Sequence, residues 1–195
     1  ATTMGGMFQL TDKFNDNLGN WDVSNVTIMA NMFNSAKLFN NGGSPTINNW
    51  ITSACTAMGY MFNEADTFNQ NIGNWDTSKI NSMNSMFYNA SEFNNNSDPS
   101  IGNWKTSSVN DMSSMFYGAS KFNQDISTKT VSGTSRWNTS NVTDMGNMFR
   151  SASKFNQNIG NWNTAIVNNM IGMFWGASKF NNSSSPTINN WVTSN

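Results

Sequence analysis

The 195-residue chain carries ten Lys plus Arg against eleven Asp plus Glu, a net charge of −1, and no His. That balance leaves no basic run to hold a phosphate backbone, and without His there is no Ser-His, Cys-His or His-rich metal chemistry. A single Cys excludes an internal disulfide, no apolar run spans a bilayer, and a targeting signal is expected outside this sequence.

Read from its start, the chain repeats itself. Met7-Phe8 leads to Phe14-Asn15 and then Trp21; after Trp21 a Met-Phe pair, Met32-Phe33, returns at 11 residues, and Phe39-Asn40 follows seven residues after that Met. The same ruler holds from Trp50, Trp75, Trp104, Trp137 and Trp162, while the stretch from the second Phe to the next Trp takes 7, 11 or 15 residues. Such a period marks a repeat architecture, expected as one continuous domain over residues 1–195 with both ends in mid-repeat. Trp191 is in phase with Met4 and Met7, so Ala1, Met4, Trp191 and Val192 are candidates for end-to-end contact between copies.

The first expanded loop introduces Pro45, five residues before Trp50; Pro99 and Pro186 stand five before Trp104 and Trp191, and Ser44 to Trp50 is identical to Ser185 to Trp191. These rigid loops predict a ridge along one edge, suited to contacts between molecules. Cys55 occupies the column of Val26, Ile80, Val109, Val142 and Val167, where a small buried apolar residue is expected.

The next repeat is typical. After Trp75 come Asp76-Thr77-Ser78, then Ile80, Met83, Met86, Phe87, Ala90 and Phe93 at spacings that predict a short helix, with Ser78 as its cap and Ser24, Ser53, Ser107, Ser140 and Ser194 at the same place. Ile72-Gly73-Asn74-Trp75 reads as a short strand. The Asn after the second Phe (Asn15, Asn40, Asn69, Asn94, Asn123, Asn156, Asn181) is expected to end the helix and to stack into a structural ladder. The fold class predicted is an α/β repeat solenoid, leucine-rich-repeat-like, of seven coils of about 25 to 33 residues, each a short strand plus a short helix.

Asn138-Thr139-Ser140-Asn141-Val142-Thr143-Asp144-Met145, with Met148-Phe149, Ala152 and Phe155-Asn156-Gln157-Asn158-Ile159-Gly160, resembles the repeat of BspA-like leucine-rich-repeat surface proteins, including the group first noted in mycoplasma lipoproteins. The resemblance runs the length of the chain and implies display on a cell or virion surface, used for adhesion or without known function. It supplies no catalytic residues.

Outward columns carry the remaining signals. The residue after each Met-Phe becomes large and planar in four consecutive repeats, Tyr88, Tyr117, Arg150 and Trp175, either a stripe for stacking on sugars or a partner protein, or groups packing on one another. Before the second Phe stand Lys121, Lys154 and Lys179, a solvated face or a site for an anion such as an acidic glycan. Thr52, Thr77, Thr106, Thr139, Thr164 and Thr193 form a file that suits an ice-binding array or, more simply, local capping. No metal-ligand spacing, cofactor motif or pair of singled-out carboxylates appears, so no enzyme, cofactor or nucleic-acid partner is expected. The expected function is a structural or adhesive extracellular repeat protein, stacking into a fibre or forming part of a longer stalk; the alternative is a glycan- or protein-binding module using the aromatic stripe.

Overall fold

The computed structural model describes residues 1–192; Thr193 and Ser194, the last members of the Thr file and the Ser column, lie outside the described residues. Successive repeats lie parallel. Single parallel bridges join Thr3 to Ile28, then to Ala57, Ser82, Asp111, Asp144 and Asn169, one step per repeat without a break. On either side of each bridge the backbone reaches both neighbours: Thr27 N–H donates to Thr2 O (2.9 Å) and Met29 N–H to Ala57 O (2.9 Å).

Among the described residues there is no α-helix, which corrects the helix predicted after each Ser. The segment is instead a run of tight turns. Met32 N–H bonds Met29 O (3.1 Å), Ala36 N–H bonds Phe33 O (3.0 Å) and Phe39 N–H bonds Ala36 O (2.9 Å). In the first two turns the third residue, Asn31 or Ser35, has positive φ (61° and 59°), as a type II turn requires. The alternate amides, Asn31, Phe33 and Ser35, donate instead to Gly59, Met61 and Asn63 of the following repeat at 2.7–3.0 Å. From Asn31 to Ala36 three backbone donors thus close turns and three bind the next repeat, which leaves none of the six for an α-helix.

The expected strand at Ile-Gly-Asn-Trp is also a turn, closed by Trp75 N–H on Ile72 O (3.2 Å); the strand-like pairing falls seven residues after each Trp. Nor does Ser cap the following segment. Where Asp or Asn follows Trp, its side chain accepts from the backbone two residues on, as Asp76 Oδ1 does from Ser78 N–H (3.1 Å) and Asn138 from Ser140 N–H (2.9 Å). Hydrogen bonds of this kind from Ser100 hold the Asp98 carboxyl below the usual carboxylate range.

Inside, side chains stack into columns. The first and second Phe of a repeat lie face to face (Phe87 to Phe93, 3.8 Å), and each continues into the next repeat, Phe87 to Phe116 at 5.6 Å and Phe93 to Phe122 at 5.9 Å. Trp104, Trp137 and Trp162 form a third column at 6.2 and 6.4 Å. Each indole N–H is satisfied by the preceding repeat, for example Trp104 on Ile72 O (3.2 Å) and Trp137 on Ile101 O (2.8 Å). A repeat alone could neither cover its rings nor satisfy its Trp, so stability resides in the interfaces. Cys55 is fully buried in its Val column, and burial pushes its thiol pKa up.

The Pro loops do not stand out as a free ridge; they fold back over the repeat before them. Pro45–Asn49, Pro99–Asn103 and Pro186–Asn190 are short 3-10 turns capped by Ser44, Asp98 and Ser185. Each lies against a glycine of the preceding shorter repeat, Thr46 on Gly19, Ser100 on Gly73 and Thr187 on Gly160. The longest loop instead forms a hairpin of β1 (Lys129–Val131) and β2 (Thr134–Arg136). A methyl group on Gly73 would collide with Ser100, whose carbonyl carbon lies 2.6 Å from that position. Gly73→Ala is therefore expected to cost about 1–3 kcal/mol in urea unfolding; an unchanged midpoint would show that the loop does not seat there.

Candidate functional site

The planar stripe is built by the second turn of each repeat. In Phe87-Tyr88-Asn89-Ala90 the positive φ of Asn89 (54°) places Tyr88 at the turn's outer corner, and the same geometry recurs where Gly118, Ser151 and Gly176 follow Tyr117, Arg150 and Trp175. The four side chains meet. Tyr88 stacks on Tyr117 (4.4 Å, 20°), and the Arg150 guanidinium lies 5.4 Å from the Tyr117 ring and 3.7 Å from that of Trp175. Burial, then the neighbouring Tyr117, pushes the Tyr88 hydroxyl pKa up. Arg150 donates from Nη1 to Asn147 Oδ1 (3.3 Å), while its Nε is buried without a hydrogen-bond partner. Cation–π contacts of this kind contribute about 0.5–2 kcal/mol. The groups therefore pack on one another, yet Trp175 keeps 63% of its surface exposed.

The Asn ladder joins repeats rather than ending helices. Asn69 Oδ1 accepts from the backbone N–H of Asn94 (2.8 Å) and of Asn96 (3.0 Å), and the same first bond recurs from Asn40 to Asn15, Asn69 to Asn40, Asn123 to Asn94, Asn156 to Asn123 and Asn181 to Asn156. A second Asn column, Asn41, Asn95 and Asn182, carried no sequence expectation. These side chains are buried, and Asn95 accepts from Ile72 N–H (2.9 Å) while donating to Asp98 O (2.7 Å). Its signal is an Asn or Asn-Asn placed just ahead of each Pro loop.

The Thr file is interior. Thr52, Thr77, Thr106, Thr139 and Thr164 are at most 2% exposed, and their hydroxyls donate to the following repeat, as Thr77 does to Lys105 O (3.0 Å). Water or ice cannot reach this array, so the file is another inter-repeat tie. The end-contact candidates separate to opposite ends of the stack: exposed Ala1 and half-buried Met4 at one, and Trp191, packed on Trp162 at 6.4 Å, with 44%-exposed Val192 at the other. Among the described residues no three His, Cys, Asp or Glu side chains gather as a metal site, and no helix is long and apolar enough to cross a membrane.

A parallel stack of short turn-built repeats, tied through side-chain ladders, defines a repeat protein that displays columns of outward side chains. The chain belongs to the family described as "Mycoplasma protein of unknown function, DUF285", whose model matches residues 2–128 and again 96–195. No curated protein and no solved structure matches the chain.

Proposed function

We propose that the chain is a solenoid of the BspA-like kind, serving outside the cell as a structural or adhesive repeat array rather than as an enzyme. The observation that carries this reading is the use of its polar chemistry: buried or ladder-forming Asn, Thr and Trp side chains bind one repeat to the next. Apolar side chains are also exposed in the first and last described repeats. Leu10 and Met7 are 73% and 54% exposed in the first, Ile171 and Trp175 78% and 63% in the last. Across each internal junction backbone amides of both repeats donate to the other's carbonyls, so two copies meeting in the same register would extend the same pairing.

Sedimentation and negative-stain electron microscopy across a dilution series test this reading. Rods that lengthen with concentration, and that Leu10→Glu or Ile171→Glu shortens to single units, are expected. A monomer at every concentration would remove the self-stacking part of the proposal.

A second reading rests on the exposed face of Trp175, which is a platform for a sugar ring or a partner's apolar side chain. Tyr117→Ala with Trp175→Ala should then abolish capture on a glycan array, while the isolated chain stays folded. Retained capture in that double variant would leave the stripe a packing feature.

A further inference from the structure

We propose that the column of Lys121, Lys154 and Lys179 is a binding line for an acidic polysaccharide bearing carboxylate or sulfate groups, a property beyond the structural role above. The three residues stand in consecutive repeats immediately before Phe122, Phe155 and Phe180, whose rings rise 6.0 and 5.8 Å from one repeat to the next. All three lysines are exposed, and among the described residues none lies within ion-pair distance of a carboxylate; the two ion pairs present are Lys105 with Asp76 and Lys129 with Asp125. Three like charges stacked one repeat apart repel each other unless an anion lies across them.

The neighbouring ladder supplies the rest of the chemistry. Lys121 and Lys154 share a cleft of about 350 Å³ with Asn69, Asn94, Ser97, Asn123 and Glu92. Both acceptor positions of Asn123 are turned inward, since its Oδ1 takes the Asn156 N–H (2.8 Å) and the Gln157 Nε2 (3.0 Å). Asn69 Oδ1 is likewise held by Asn94 and Asn96. The NH2 of Asn94 is given to Ser97 Oγ (3.5 Å), whereas those of Asn69 and Asn123 make no hydrogen bond among the described residues, so the cleft offers two amide donors beside its ammonium donors, with Glu92 as its one charged acceptor. A ligand matched to that surface is rich in acceptors and carries its negative charge at regular intervals along a chain. An acidic polysaccharide does both. With a net charge of −1 the protein has no general attraction for polyanions, so binding at this line would be local.

The test measures binding of immobilised heparin, with dextran as the uncharged polymer and oligothymidylate as a nucleic acid, over a range of salt concentrations. Heparin should bind, dextran should not, and oligothymidylate should bind more weakly. Replacing Lys121, Lys154 and Lys179 by Ala should weaken heparin binding at least about tenfold and flatten its salt dependence by about one unit of log–log slope per lysine. Replacing Lys13, Lys37 and Lys79, which removes the same charge elsewhere, should change affinity less than about twofold by the same electrostatic reasoning. Equal losses in the two triple variants, no heparin binding by the parent chain, or tighter binding to oligothymidylate would each overturn the proposal. Circular dichroism of both variants shows that any loss is not one of folding.

Discussion

Replacing Trp104 by Ala is expected to lower the unfolding free energy by about 3–5 kcal/mol, the range for removing a large aromatic from a core. The side chain is 1% exposed, lies in the stack between Phe87 (6.4 Å) and Trp137 (6.2 Å), and its indole satisfies the Ile72 carbonyl of the preceding repeat. The substitution opens a cavity, interrupts one aromatic column and removes one of the two hydrogen bonds to the Ile72 carbonyl, which keeps that of Trp75 N–H. Because each repeat is stabilised by its neighbours, it also weakens the junctions on both sides, so urea unfolding should broaden as the two halves uncouple. A loss below about 1 kcal/mol would mean that the column closes over the gap, against the rigid packing expected of such interiors.

Asn95→Ala should be nearly as costly, about 2–4 kcal/mol, from a buried amide left unpaired at about 1–3 kcal/mol and a part-buried carbonyl that loses its bond at about 1 kcal/mol. The buried Ile72 amide and the part-buried Asp98 carbonyl would both lose their partner. Asn95 also has positive φ (51°), which penalises Ala for its backbone as well. Asn95→Gly separates the terms: glycine tolerates that φ, so its remaining loss reports the hydrogen bonds alone. If Gly restores full stability, the Asn is there for its backbone preference and the buried bonds contribute little.

The repeat ruler, the burial of the Trp, Phe and Met columns and the Asn ladder were legible in the sequence because fixed spacing forces equivalent residues to superpose. Local conformation was not. Met29, Met32, Phe33, Ala36 and Phe39 fall at steps of three and four that a helix and a run of three-residue turns share, so periodicity alone cannot separate them. The discriminating signal was the residues between, Gly6, Asn31, Ser85, Ser114, Asn147 and Gly172 before each second Met, all of which adopt positive φ. Tyr60 at the same place, also at positive φ (59°), shows the stack imposing the turn on a residue that does not favour it.

At the surface, the sequence named the planar stripe and the lysine column but could not tell what each does to its neighbours. The stripe turned out to be self-packed through Arg150, which lies against both Tyr117 and Trp175, while the lysines were left without carboxylate partners. The Thr file illustrates the opposite failure: a regular array reads the same whether it faces water or the next repeat, and only burial of Thr77 and its companions decides which.

The most direct test of the repeat stack is residue-resolved amide hydrogen exchange in the native state. The amides of Phe87, Phe116 and Phe149 donate to Met115, Met148 and Met173 of the following repeat, each at 2.9 Å, and should exchange only through global unfolding. Protection at all three is the predicted result. Exchange at unprotected rates there, with the turn amides of Ala90 and Ala119 still slow, would mean that the repeats form separately and are not held by one another.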